Sequence, residues 1–133
     1  MIEMTLDVAE RVARASIARA KTLNIAITVS VVDEAGRLVL TLKGDGTGFL
    51  TPETSRAKAV AAAAFRNSTL KMAAMHATNV FWSAVPTVTR GEALPTGGGL
   101  PILRNGHVIG GVGCGGGTAE QDDDCAQAGA TVA

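Results

Sequence analysis

Asn105-Gly106 separates two stretches of strand-forming character, LPILR (100–104) and HVIGGVGC (107–114), and this dipeptide constrains the fold more than any other feature. Both residues tolerate the positive φ angles of a two-residue type I′ turn, so the flanks are predicted to pair as a tight β-hairpin. Counting outward from the turn sets Arg104 against His107, Ile102 against Ile109, Leu100 against Gly111 and Gly97 against Cys114. Two glycine runs, Gly97, Gly98 and Gly99 and then Gly115, Gly116 and Gly117, are thereby expected side by side at the end of the hairpin away from its turn. The second run leads into Thr118-x-x-Gln121, a capping box opening a C-terminal helix whose start carries Glu120, Asp122 and Asp123.

The rest of the chain reads around this hairpin. Leu6, Ala9, Val12, Ala13, Ile17, Ala20 and Leu23 recur at helical spacing, which predicts an amphipathic helix over 5–23 with Thr5 as N-cap. IAITVSVVD (25–33) and RLVLTLK (37–43) are β-branched and apolar runs joined by a short turn, a second hairpin. Thr51, read as an N-cap, and Pro52 open a helix to about Phe65; its AKAVAAAAF interior is apolar nearly all round and is expected to be buried. Ser68 is placed to cap a helix to about Ala77, and 80–96 lacks periodicity and is expected to be irregular. Hairpins rather than crossovers link the strands. The order α-β-β-α-α-β-β-α therefore predicts one α/β (α+β) domain over 1–133, a largely antiparallel sheet with helices packed on it.

Composition excludes several roles. Twelve Lys+Arg balance twelve Asp+Glu, and the chain has one Trp, three Phe and no Tyr. A neutral chain without a basic stripe or stacking aromatics is not expected to bind nucleic acid. It has no apolar run of membrane-spanning length and no signal-peptide pattern, so a cytoplasmic protein with reduced Cys114 and Cys125 is expected. The 16 glycines and long alanine runs allow close backbone contact, at an ordering cost that suggests burial against a partner subunit.

The juxtaposed glycines suggest a small-molecule site. Exposed N–H groups without side chains, beside the helix that Thr118 opens, can receive a carboxylate or phosphate; the alternative is that they permit tight turns and close packing. Lys58 is the lone charge in its helix segment, so it must pair, snorkel or face a polar cavity, where a depressed pKa suits a base or Schiff-base nucleophile; a structural ion pair with Glu53 or an aspartate is the competing reading. Glu53 and Arg56 are placed to pair with each other, or to act as acid-base group and carboxylate holder. His76, beside Met72 and Met75, is a candidate haem-iron ligand or acid-base group, although such methionines commonly fill cores. Cys114 at the glycine junction is a candidate nucleophile or soft ligand, against the reading of a buried, inert thiol.

DEAGRLVL, the KAVAAAAF helix and PTGGGLPILRNGHVIGGVGCGGGTAEQDDDCAQAG, in that order, resemble the GlcG/HbpS family, which includes the C-terminal domain of PduO-type corrinoid adenosyltransferases. The resemblance spans nearly the whole chain. It implies a profilin-like fold and assembly into homo-oligomers, dimer-based and extending to tetramers or octamers. It also implies haem as a ligand of some members, with links to haem degradation, redox sensing or iron, and a ligand-facing lysine at Lys58. VGCGGGTAEQD departs from the commoner VGVSGGTPEQD, placing Cys114 and an extra glycine at the junction, and Asp124-Cys125 replaces small or apolar residues. Two functions are weighed: a small-ligand protein, with haem as its ligand, and an isomerase, lyase or hydratase acting on a carboxylated or carbonyl metabolite. In the second, Arg56 and the glycines hold the acid group while Lys58, Glu53 or His76 moves protons. An assembly or chaperone-like role without chemistry is the third.

Overall fold

The computed structural model describes residues 1–133. Along the chain lie α1 (Leu6–Thr22), β1 (Thr28–Asp33), β2 (Leu38–Lys43), α2 (Thr51–Phe65), α3 (Thr69–Ala74), α4 (Val80–Val88), β3 (Gly99–Arg104), β4 (His107–Gly115) and α5 (Ala119–Ala130). The four strands form one antiparallel sheet in the order β2-β1-β4-β3, so the two hairpins meet through their inner strands. The fold class agrees with the sequence expectation, with one helix, α4, added.

The faces of the sheet differ because strand residues alternate. Val29, Val31, Val112 and Cys114 point to one side and join Val12, Ala13, Cys125 and Ala126 in the main core beneath α1 and α5. Thr28, Ser30 and Val32 point to the other, where α2 lies. Here the packing is unusually close, since a methyl group at Gly99, Gly111 or Gly113 would overlap the main-chain carbonyls of Lys58, Ala59 and Ser55. Small residues on α2 match this floor: Ser30 Oγ lies 2.7 Å from Ser55 Oγ, and Thr28 Oγ1 2.7 Å from Thr51 Oγ1. Facing each other across this contact, these hydroxyls satisfy one another. A second, smaller core of Ala61, Met72, Val85 and Ala93 forms on the outer side of α2 beneath α3 and α4.

Several local expectations are corrected. Asn105 and Gly106 adopt φ of 51° and 81°, as a type I′ turn requires, and Arg104 faces His107. Beyond that the register slips: Leu103 pairs with Val108 but Ile102 with Gly110, leaving Ile109 as a bulged residue and setting Leu100 opposite Val112. The bulge lets both Ile102 and Ile109 enter the main core. Thr51 is the first helical residue rather than the N-cap; that position falls to Leu50, and Pro52 still lies in the first turn. Ser68 caps α3 as expected, accepting from the N–H groups of Leu70 and Lys71, but the helix stops at Ala74.

The stretch expected to be irregular contains α4. In its VFWSAVPTV sequence only Ser83 and Thr87 interrupt the apolar residues, too few to mark a helical period over nine positions, and Pro86 reads as a breaker. The Asn79 side chain caps it by accepting from the Phe81 N–H at 3.0 Å. Thr5 and Thr118 cap α1 and α5, and the Thr118–Gln121 capping box is complete.

Candidate functional site

The two glycine runs do meet. Cys114 N–H donates to the Gly98 carbonyl at 2.8 Å, and a side chain at Gly98 would run into Cys114 O, Asp122 and Lys58. What occupies the junction is the protein itself. Lys58 Nζ reaches from α2 past Gly98 and donates to the Cys114 carbonyl at 2.9 Å and to Asp122 Oδ2 at 3.3 Å. Asp122 Oδ1 accepts the Gly117 N–H at 2.9 Å. Thr69 Oγ1 accepts the Gly99 N–H at 2.7 Å, and Gln121 Oε1 accepts that of Thr118 at 3.0 Å. The internal carboxylate of Asp122 therefore sits where the sequence suggested an external anion, and the lysine expected to face a ligand is its counter-ion. Side chains of both are almost fully buried, at 10% and 4% exposure, and none of the surface cavities is lined by either residue.

The competing structural reading of Lys58 is thus the one the geometry favours, with Asp122 rather than Glu53 as partner. The sequence allowed an aspartate as the partner of Lys58 but could not single out Asp122, whose place in the first turn of α5 suits helix capping, because the contact joins residues 64 positions apart. Burial, the largest influence, pushes the Asp122 carboxyl above the usual aspartate range, while Lys58 and the Gly117 N–H pull it down.

The other candidates separate. Arg56 pairs with Glu92 at 2.7 Å and not with Glu53, which stays exposed on the first turn of α2. The side chain of Cys114 joins the main core opposite α2, where it is fully buried; desolvation drives its thiol far above the ordinary range, which favours the buried, inert reading over the nucleophile. Its carbonyl, not its sulfur, contributes to the junction. Cys125, also buried, has its thiol pushed up to about 11.

His76 falls beyond the end of α3, in the turn before α4. Its Nε2 is buried and has no hydrogen-bond partner. On one side of this turn Met75 packs on the smaller core with Trp82 and Phe65, and Phe65, Phe81 and Trp82 form three edge-to-face pairs with centroids 5.0 to 6.0 Å apart. α4 leaves Val80 and Val88 nearly 80% exposed, at 79% and 77%. The other histidine, His107, is engaged at 2.8 Å by Glu3.

The architecture, an antiparallel sheet with α1 and α5 on one face and α2 pressed onto glycines of the other, defines a class of small α/β domains. The model of the haem degrading protein HbpS-like family matches residues 4–131, and the chain belongs to that family. An uncharacterised 15.0 kDa protein from the dhaT-dhaS intergenic region of Citrobacter freundii is 33% identical, over 90% of this chain and 84% of its own. The corrinoid adenosyltransferase PduO of Salmonella typhimurium is 31% identical over 86% of this chain, which spans only 34% of that longer protein. Among solved structures, a double variant of HbpS from Streptomyces reticuli superposes with a TM-score of 0.85 at 30% identity, covering 97% of this chain and 86% of its own. A haem complex of PduOC gives 0.86 at 26% identity, covering 98% and 94%. No helix here is long and apolar enough to cross a membrane.

Proposed function

We propose that this protein binds haem, with His76 as the side chain that ligates the iron. The observation that carries the reading is the unpartnered, buried His76 Nε2 beside an apolar helix, in a fold shared with a protein whose structure is a haem complex. Leaving an imidazole nitrogen buried without a partner is unfavourable by about 1–3 kcal/mol, which coordination would recover. The other donors are engaged: His107 is held by Glu3, both thiols are in the core, Met72 is buried in the smaller core with Met75 packed on it, and the chain has no Tyr. Bound haem would supply redox and oxygen chemistry; the chain's own part would be to donate the His76 imidazole and to offer the exposed apolar side chains of Val80, Phe81 and Val88 nearby.

The cavity under α4 holds about 100 Å³, below the roughly 300–1,000 Å³ of small-molecule sites. His76 does not line this cavity, so the residues that would hold haem are His76 and the exposed apolar side chains of α4 rather than the cavity itself. Assembly into a dimer-based homo-oligomer accords with the same exposed residues and with Phe49, 84% exposed. Two unpaired thiols accord with a reducing, cytoplasmic setting.

Haemin titration of the purified protein tests the reading. A saturable Soret band that is lost in His76→Ala is the expected result. Wild-type protein without a saturable Soret shift overturns haem binding, and an unchanged band in His76→Ala overturns the assignment of the ligand.

A further inference from the structure

On the side of the sheet that carries α5, a cavity of about 300 Å³ runs beside the open edge of β3, between the α2–α3 turn and the end of α5. Its polar wall carries Arg66, Lys71 and Gln127, and its apolar wall Leu100, Pro101 and Leu103. None of the lining residues is acidic. Neither Arg66 nor Lys71 takes part in an ion pair within the chain. The neighbouring carboxylate, Asp123, is buried behind this wall, where it accepts from two of the lining side chains, Gln127 Nε2 at 3.0 Å and Ser68 Oγ at 3.4 Å, and pairs with neither Arg66 nor Lys71. Two free cations thus border one concavity with an apolar wall and nothing of opposite charge inside it.

Arg66 sits there against a backbone preference. It closes α2 in the left-handed conformation, φ 55° and ψ 40°, a position that glycine fills more favourably than any residue with a Cβ. Pro101 lacks an N–H, which makes this edge strand a poor template for an added strand and favours a small ligand over an extended peptide.

We infer that this cavity is a binding site for a small organic carboxylate, its charged end held by Arg66 and Lys71 and its apolar body resting on Leu100, Pro101 and Leu103. Guanidinium and carboxylate match as a two-point pair, and the lysine adds a point charge. The site is separate from the histidine proposed for haem and does not depend on it. Arg66 and Leu103 also border a second cavity with Glu34 and His107, but Lys71 belongs to the first alone, so it decides between the two.

Titration of the full chain with benzoate, followed by amide chemical shifts, tests the inference, with inorganic phosphate as the comparison probe. Saturable benzoate shifts at β3 and the α2–α3 turn are expected, weakened at least fivefold in Arg66→Gly and in Lys71→Gln. Arg66→Gly should keep or raise the melting temperature, because the left-handed position suits glycine, so loss of binding there cannot be assigned to unfolding. Absence of saturable shifts at millimolar benzoate, tighter binding of phosphate than of benzoate, or unchanged benzoate affinity in Lys71→Gln would each overturn it.

Discussion

Lys58 Nζ and Asp122 Oδ2 lie 3.3 Å apart across the glycine junction, joining α2 on one face of the sheet to α5 on the other. The lysine also holds the Cys114 carbonyl at the end of β4. One buried ion pair therefore ties together both helix layers and the strand between them.

Removing one member should be far worse than removing both. Lys58→Met leaves the Asp122 charge buried without its cation and is expected to destabilise the fold by about 3 kcal/mol or more. Adding Asp122→Asn should restore much of that. Urea denaturation of the wild type, both single variants and the double variant measures the coupling, and simple additivity would show that the pair contributes none.

The same carboxyl gives a pH signature. Its folded pKa lies above the usual aspartate value, so the folded state holds the proton more tightly than the unfolded chain. Stability contributed by this group is present in acid and declines as pH rises from about 4 through the raised value. Asp124 does the opposite, because its hydrogen bond to Arg19 lowers its pKa: its contribution is lost as pH falls through that lowered value. Denaturation midpoints across this range should decline less toward neutral pH in Asp122→Asn than in the wild type. An identical pH slope would remove Asp122 from the account.

Glycines under α2 should differ sharply from glycines in open turns. Gly113→Ala sets a methyl group against the Ser55 carbonyl and is expected to cost about 3 kcal/mol or more, because neither backbone can retreat without unpacking the other. Gly46, φ 81°, has nothing near its absent side chain, so Gly46→Ala should cost only the backbone strain, about 1 kcal/mol. Thermal melts of the two proteins make the comparison.

Substituting His76 should separate ligand binding from folding. His76→Met replaces an unpartnered buried nitrogen with an apolar chain suited to its methionine-rich surroundings. Stability is expected to hold or rise by about 1 kcal/mol while His-type coordination disappears from the haem spectrum. A large loss of stability would point to a hydrogen bond made by that imidazole.

Both thiols should resist modification in the folded protein. Cys114 and Cys125 are buried and their thiols are shifted upward, so labelling by an aromatic disulfide at neutral pH should follow unfolding. Rapid labelling of either native cysteine would contradict the burial.

Local chemistry was legible in the sequence. Asn105-Gly106 specified its turn, Thr5, Ser68 and Thr118 specified their caps, and alternating β-branched residues specified strands, because each depends on neighbours a few positions away. α4 escaped because nine residues with only Ser83 and Thr87 polar and Pro86 inside give little period to read, and the Ile109 bulge because it is selected by packing against the core. The site escaped for the same reason. Sequence alone could mark Lys58 as an unexplained charge and bring the glycine runs together. Only the tertiary structure decided that Asp122, 64 residues away, would be the anion filling that junction, that Cys114 would turn its thiol to the opposite face, and that Arg66 and Lys71 would border a shared cavity. Long-range pairing is settled by which surfaces the sheet brings together, and no local propensity encodes it.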